Sequence, residues 1–129
     1  MNSNLNTPLS RVTGLGSAKE GVHHWIAQRL TAIALVPLLL WFVYSLICIA
    51  GADYADAVAW VSSPLNTAML VLLVIAMFYH GALGIQVIIE DYVHQECTKI
   101  GVLVTLKLVM FAIATAAILA ILRIALGAA

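Results

Sequence analysis

An all-α membrane protein of three transmembrane helices is the fold class this sequence predicts, and three observations predict it. Only 9% of its 129 residues are charged while 64% are hydrophobic, and the mean hydropathy is +1.06. A water-soluble domain carries about a quarter charged residues, so water is not the main solvent of this chain. Three apolar runs, from about Leu30 to Ala50, Leu65 to Ile89 and Ile100 to Leu126, each reach the roughly 20 residues an α-helix needs to cross a bilayer, and predict spans at about 29–50, 65–90 and 100–126. Lys and Arg are spread unevenly over the segments between those runs, which is how topology is encoded.

Residues 1–20 are rich in Ser, Asn, Thr and Gly and contain no apolar run, which predicts a flexible arm ahead of a single three-helix membrane domain at 21–129. Neither a secretory h-region nor an Arg-rich transit peptide is present there, so a bacterial inner membrane is expected rather than a mitochondrial one. The first run is uncharged and interrupted only by Pro37, which membrane helices tolerate. Residues 51–64 read as a loop with Asp53 and Asp56, no Lys or Arg, and the interfacial aromatics Tyr54 and Trp60. Ser62-Ser63-Pro64 is a start signal for the second helix, with Asn66 a further candidate N-cap. Residues 90–99 form a second polar loop, and the third run carries Lys107 and Arg123, both placed to snorkel.

Arg11, Lys19 and Arg29 lie on the N-terminal side and Lys99 in the second loop, whereas the first loop has no base. The positive-inside rule therefore predicts a cytoplasmic N-terminus and a cytoplasmic 90–99 loop. Six basic and six acidic residues balance to zero net charge, leaving no basic face for nucleic acid. Cys48 and Cys97 make no CxxC and no metal spacing, and both read as unpaired.

His80 is the one readily ionisable group inside the second run, and such a residue in a span is by default a candidate functional site. A neutral imidazole is a common axial ligand of haem iron. It is equally a residue that hydrogen-bonds a neighbouring helix, with Gly81 and Gly84 as small-residue packing. Low-spin haems often take two protein ligands, and His23, His24 and His94 all lie outside the spans, so a second histidine would come from another chain. At 100° per residue, Gly84 lies about 40° and Asp91 about 20° from His80 around the helix, while Tyr92 is displaced by about 120°. Tyr92 and Asp91 suit a quinone pocket, as hydrogen-bond donor and proton relay, and suit an ordinary interfacial belt as well. Arg29 at the start of the first span suits haem propionates or simple snorkelling.

Two segments together resemble one family. The pattern Ser17-Ala18-Lys19-Glu20-Gly21-Val22-His23-His24-Trp25, then Gln28-Arg29-Leu30-Thr31-Ala32, resembles the approach to the first span of the hydrophobic membrane anchor (D) subunit of succinate dehydrogenase, respiratory complex II. The pattern His80-Gly81-x-x-Gly84-x-Gln86-x-x-x-Glu90-Asp91-Tyr92-Val93 resembles its second span. The resemblance implies an anchor pairing with a sister three-helix cytochrome b subunit, beneath an iron–sulfur subunit and a flavoprotein subunit. It implies one haem b between the two anchors with His80 as an axial ligand, and Tyr92 with Asp91 at the ubiquinone site. Arg29 and His23 would lie near the propionates or the quinone. The chain would not be catalytic toward succinate on its own. A fumarate reductase anchor, and a small structural, assembly or transport protein without cofactor, are the competing readings.

Overall fold

The computed structural model describes residues 19–127, which form four helices: α1 (Lys19–Ile49), α2 (Tyr54–Ser62), α3 (Pro64–Tyr92) and α4 (Glu96–Ala125). Three of them, α1, α3 and α4, are long and apolar enough to cross a membrane. The expected flexible arm lies outside the described residues, save for its last two positions, which begin α1.

The first helix starts well ahead of the apolar run. Its 31 residues span about 46 Å against a hydrocarbon core of about 30 Å, so its polar first turns stand in the headgroup layer. Pro37 is absorbed without a break in the helix. Gly51, at φ +89°, ends the segment in the left-handed region that glycine enters at little cost. Ala50 and Ala52 amides donate back to the carbonyls of Ile47 and Ile49 there.

The first expected loop is largely helical. Asp53 caps α2 by accepting from the Asp56 amide at 2.9 Å, and the Trp60 ring stacks on Trp41 of α1 at 5.8 Å. Local hydropathy missed this helix because nine residues at an interface need no apolar run. As the sequence predicts, α3 starts at Ser63-Pro64, with Pro64 in the first turn where its missing N–H is harmless. Asn66 does not cap; its Nδ2 donates to the Trp60 carbonyl at 2.8 Å, and Thr67 Oγ1 donates to Val61 O. These bonds brace the α2–α3 corner.

The second polar segment is mostly helical too. α3 runs through Glu90 and Asp91 to Tyr92, and α4 begins at Glu96, leaving 93–95 as the turn. Lys99 pairs with Glu96 at 3.0 Å in the first turn of α4.

α3 is the centre of the arrangement, packed against α1 on one side and α4 on the other, with α2 against α3 and α4. Leu35 and Leu38 of α1 meet Leu73 of α3, with Phe42, Met69 and Ala76 around them. Beyond that contact little is covered: α4 buries no residue, and Ile33, Leu40 and Phe111 are largely exposed. In lipid such exposure carries no hydrophobic penalty, and the helices associate through packing and polar contacts instead.

Candidate functional site: a histidine between two spans

His80 points from α3 towards α1, half-buried, where Gln28 and Thr31 meet it. Its Nδ1 lies 3.0 Å from Thr31 Oγ1. That hydroxyl also lies 2.8 Å from the carbonyl of Ala27 and 3.1 Å from that of Gln28. A hydroxyl owns one proton and a carbonyl can only accept, so the Thr31 proton goes to the backbone. Thr31 oxygen then accepts from His80, which fixes a proton on Nδ1. The other ring nitrogen, Nε2, keeps its lone pair, and Gln28 Nε2 donates to it across a long 3.5 Å. The shorter contact, to Thr31, is the one that selects the neutral tautomer.

Two buried polar atoms nearby have no hydrogen-bond partner among the described residues, Gln28 Oε1 and His24 Nε2. His24, Gln28 and Thr31 are spaced four and three apart, so they share one stripe of α1. A Cβ on Gly84 would stand 3.6 Å from Gln28 Nε2, in ordinary contact, whereas one on Gly81 would meet nothing within 4 Å. Gly84 therefore borders the amide beside the imidazole, and Gly81 faces open space.

The remaining expected site residues lie apart from His80 within this chain. Arg29 is exposed, about 160° around α1 from Thr31, with its guanidinium 4.3 Å above the Trp25 ring. His23 is exposed as well. Asp91 and Tyr92 are exposed at the end of α3, Tyr92 at 79%, and about 16–18 Å along the axis from His80. None of these four side chains hydrogen-bonds to His80 among the described residues. All four open outward, where another chain or a ligand can reach them. Thr31, Gln28 and His24 stand in the motif at the approach to the first span, but nothing in the sequence assigns them a role beside His80. Their signal was available, as a polar i, i+4, i+7 stripe at the head of an apolar helix.

A neutral imidazole nitrogen is a donor that haem iron takes, and at His80 Nε2 the long 3.5 Å contact with Gln28 is the one hydrogen bond in front of it among the described residues. A bare-ion centre is a poorer match, since no three His, Cys, Asp or Glu side chains gather among the described residues. A second axial histidine is not at hand on α3 or α4. His94 sits in the turn after α3, and His24 lies about 10 Å along α1 from Thr31.

Residues 3–121 match the family described as Succinate dehydrogenase/Fumarate reductase transmembrane subunit. The succinate dehydrogenase hydrophobic membrane anchor subunit of Rickettsia bellii is 35% identical over 115 residues, covering 89% of this chain and 90% of that protein. The chain belongs to the family of succinate dehydrogenase membrane anchor subunits. The anchor subunit of Paracoccus denitrificans is 32% identical over 123 residues, covering 95% of this chain and 94% of its own. No solved structure matches. Three long apolar helices make this anchor a multi-pass membrane protein, and membership makes it one subunit of the larger succinate dehydrogenase complex.

Proposed function

We propose that this anchor supplies His80 Nε2 as one axial ligand of a b-type haem shared with a sister cytochrome b anchor subunit, and helps to form the site of ubiquinone reduction. The observation that carries this reading is the 3.0 Å contact between His80 Nδ1 and Thr31 Oγ1, mid-span in a chain of this family, which supports a proton on Nδ1 and a lone pair on Nε2. When bound, the haem supplies an iron centre able to take and give single electrons. The chain's own residues do the rest. Thr31 holds the imidazole in one orientation by accepting from Nδ1–H, which keeps Nε2 as the ring atom turned to the iron. Arg29 offers a planar fork to propionates or to another carboxylate at the water boundary, with His23 beside that boundary.

At the end of α3, the Tyr92 phenol donates a hydrogen bond to a quinone carbonyl, and the adjacent Asp91 carboxylate relays protons from water as the quinone takes two electrons and two protons. Their exposure suits a pocket completed by other subunits. The electrons originate at succinate in the flavoprotein subunit and arrive through the iron–sulfur subunit, both docked on the cytoplasmic face with the 93–95 turn. This chain itself does not touch succinate. The absorption spectrum of the purified complex tests the ligand role. His80→Ala is expected to remove or shift the b-type bands, and an unchanged spectrum in an assembled complex would refute it.

A further inference from the structure

On the other side of α3 lies a groove that the haem reading does not use. Of about 560 Å³, it runs between α3 and α4, with Phe78, Ala82, Phe111 and Ala114 among its apolar walls. Its polar lining includes Gln86 and Lys107. We propose that this groove binds one phosphatidylethanolamine, with an acyl chain along its walls, the phosphate on Lys107 and the ammonium on Glu90.

Lys107 is the first reason. It is exposed and makes no ion pair or hydrogen bond among the described residues. It lies about 16 Å down α4 from Glu96. Because α3 and α4 form an antiparallel pair joined by a three-residue turn, that depth is level with about residue 81 of α3. Both helices are about 44 Å long against a core of about 30 Å, so about 7 Å protrudes at each end. The Lys107 backbone therefore sits about 9 Å inside the hydrocarbon. Its side chain, about 6 Å long, brings the ammonium to about 3 Å short of the edge of the core. An unpartnered cation just inside the core calls for an anion, and the nearest one a bilayer offers is a lipid phosphate directly above it in the headgroup layer.

Glu90 supplies the headgroup. Gln86, about 9 Å below the end of α3, shares the height of the Lys107 ammonium. Its Nε2 donates to Glu90 Oε1 at 2.7 Å, so a carboxylate is fastened to the groove lining one turn nearer the water. A cation below and an anion above repeat, with opposite signs, the phosphate and outer ammonium of an ethanolamine lipid whose chains point into the core. A phosphatidylglycerol would satisfy Lys107 but would offer Glu90 only neutral glycerol hydroxyls in place of an ammonium.

Lipid rather than a sister helix is assigned to this groove by its place. Phe78, Ala82 and Gln86 lie about 120–160° around α3 from His80. A chain supplying the second haem ligand approaches the His80 side, so this step rests on the shared-haem reading above.

Native mass spectrometry of the delipidated complex, titrated in detergent with phosphatidylethanolamine and separately with phosphatidylglycerol, tests the site. The wild-type complex is expected to retain one phosphatidylethanolamine, to hold phosphatidylglycerol more weakly, and to keep the lipid in Lys107→Arg. Lys107→Met and Glu90→Gln are expected to bind it at least ~tenfold more weakly. Equal retention by wild type and Lys107→Met, equal binding of the two lipids by wild type, or loss of the sister subunit from Lys107→Met would each overturn the proposal. Haem bands read on the same samples separate the two ideas. A complex without haem that still holds the lipid counts against the haem reading alone.

Discussion

Thr31→Val is the sharpest probe of the site. The substitution nearly preserves shape and removes the oxygen that accepts from His80 Nδ1 at 3.0 Å. Ala27 and Gln28 carbonyls lose only an additional hydroxyl partner, since both sit inside α1. What is left is a half-buried N–H with no partner. Such a loss costs about 1–3 kcal/mol for a fully buried group, and about 1 kcal/mol is the reasonable figure at this partly covered site. That corresponds to roughly a fivefold shift in the tautomer balance towards Nε2–H, the form that has no lone pair to give iron. Haem is then expected to bind several-fold more weakly. The haem that does bind should have a higher midpoint potential, because a less basic imidazole stabilises the oxidised iron less. The assay is the haem-to-protein ratio and reductive titration of the purified complex, with Thr31→Ser expected to restore both. Wild-type haem content and potential in Thr31→Val would refute the tautomer reasoning while leaving His80 as a ligand untouched.

Other outcomes follow from the same geometry. Tyr92→Phe is expected to lower ubiquinone reduction by about fivefold, the worth of one hydrogen bond of about 1 kcal/mol, with succinate oxidation by artificial acceptors unchanged; equal loss of both rates would remove Tyr92 from the pocket. Arg29→Ala is expected to alter the haem spectrum or the quinone KM with normal membrane insertion, because its guanidinium faces outward over Trp25; wild-type behaviour would mark it as a snorkelling residue. Trp41→Ala removes the stack on Trp60, worth about 0.5–1.5 kcal/mol beyond burial, and is expected to speed amide exchange in α2 without affecting haem. Protection of α2 at the wild-type level would show that Asn66 and Thr67 brace it unaided.

Sequence alone determined the three spans, because hydropathy is a local property and bilayer thickness is fixed. It also marked His80, whose imidazole stands out against an apolar run, and the start of α3 at Ser63-Pro64. Helix ends were less legible. The polar turns at Lys19–His23 and Glu90–Tyr92 stay helical beyond the apolar runs, where hydropathy no longer marks the boundary. Tertiary structure alone decided which faces meet. In a soluble protein an apolar stripe names the packing face, but a helix in lipid is apolar all round and that cue vanishes. Only polar groups then distinguish one side from another. Hence Thr31 and Gln28, which in the sequence are only members of a motif at the approach to the first span, acquire a partner where α1 and α3 pack together and His80 lies opposite them.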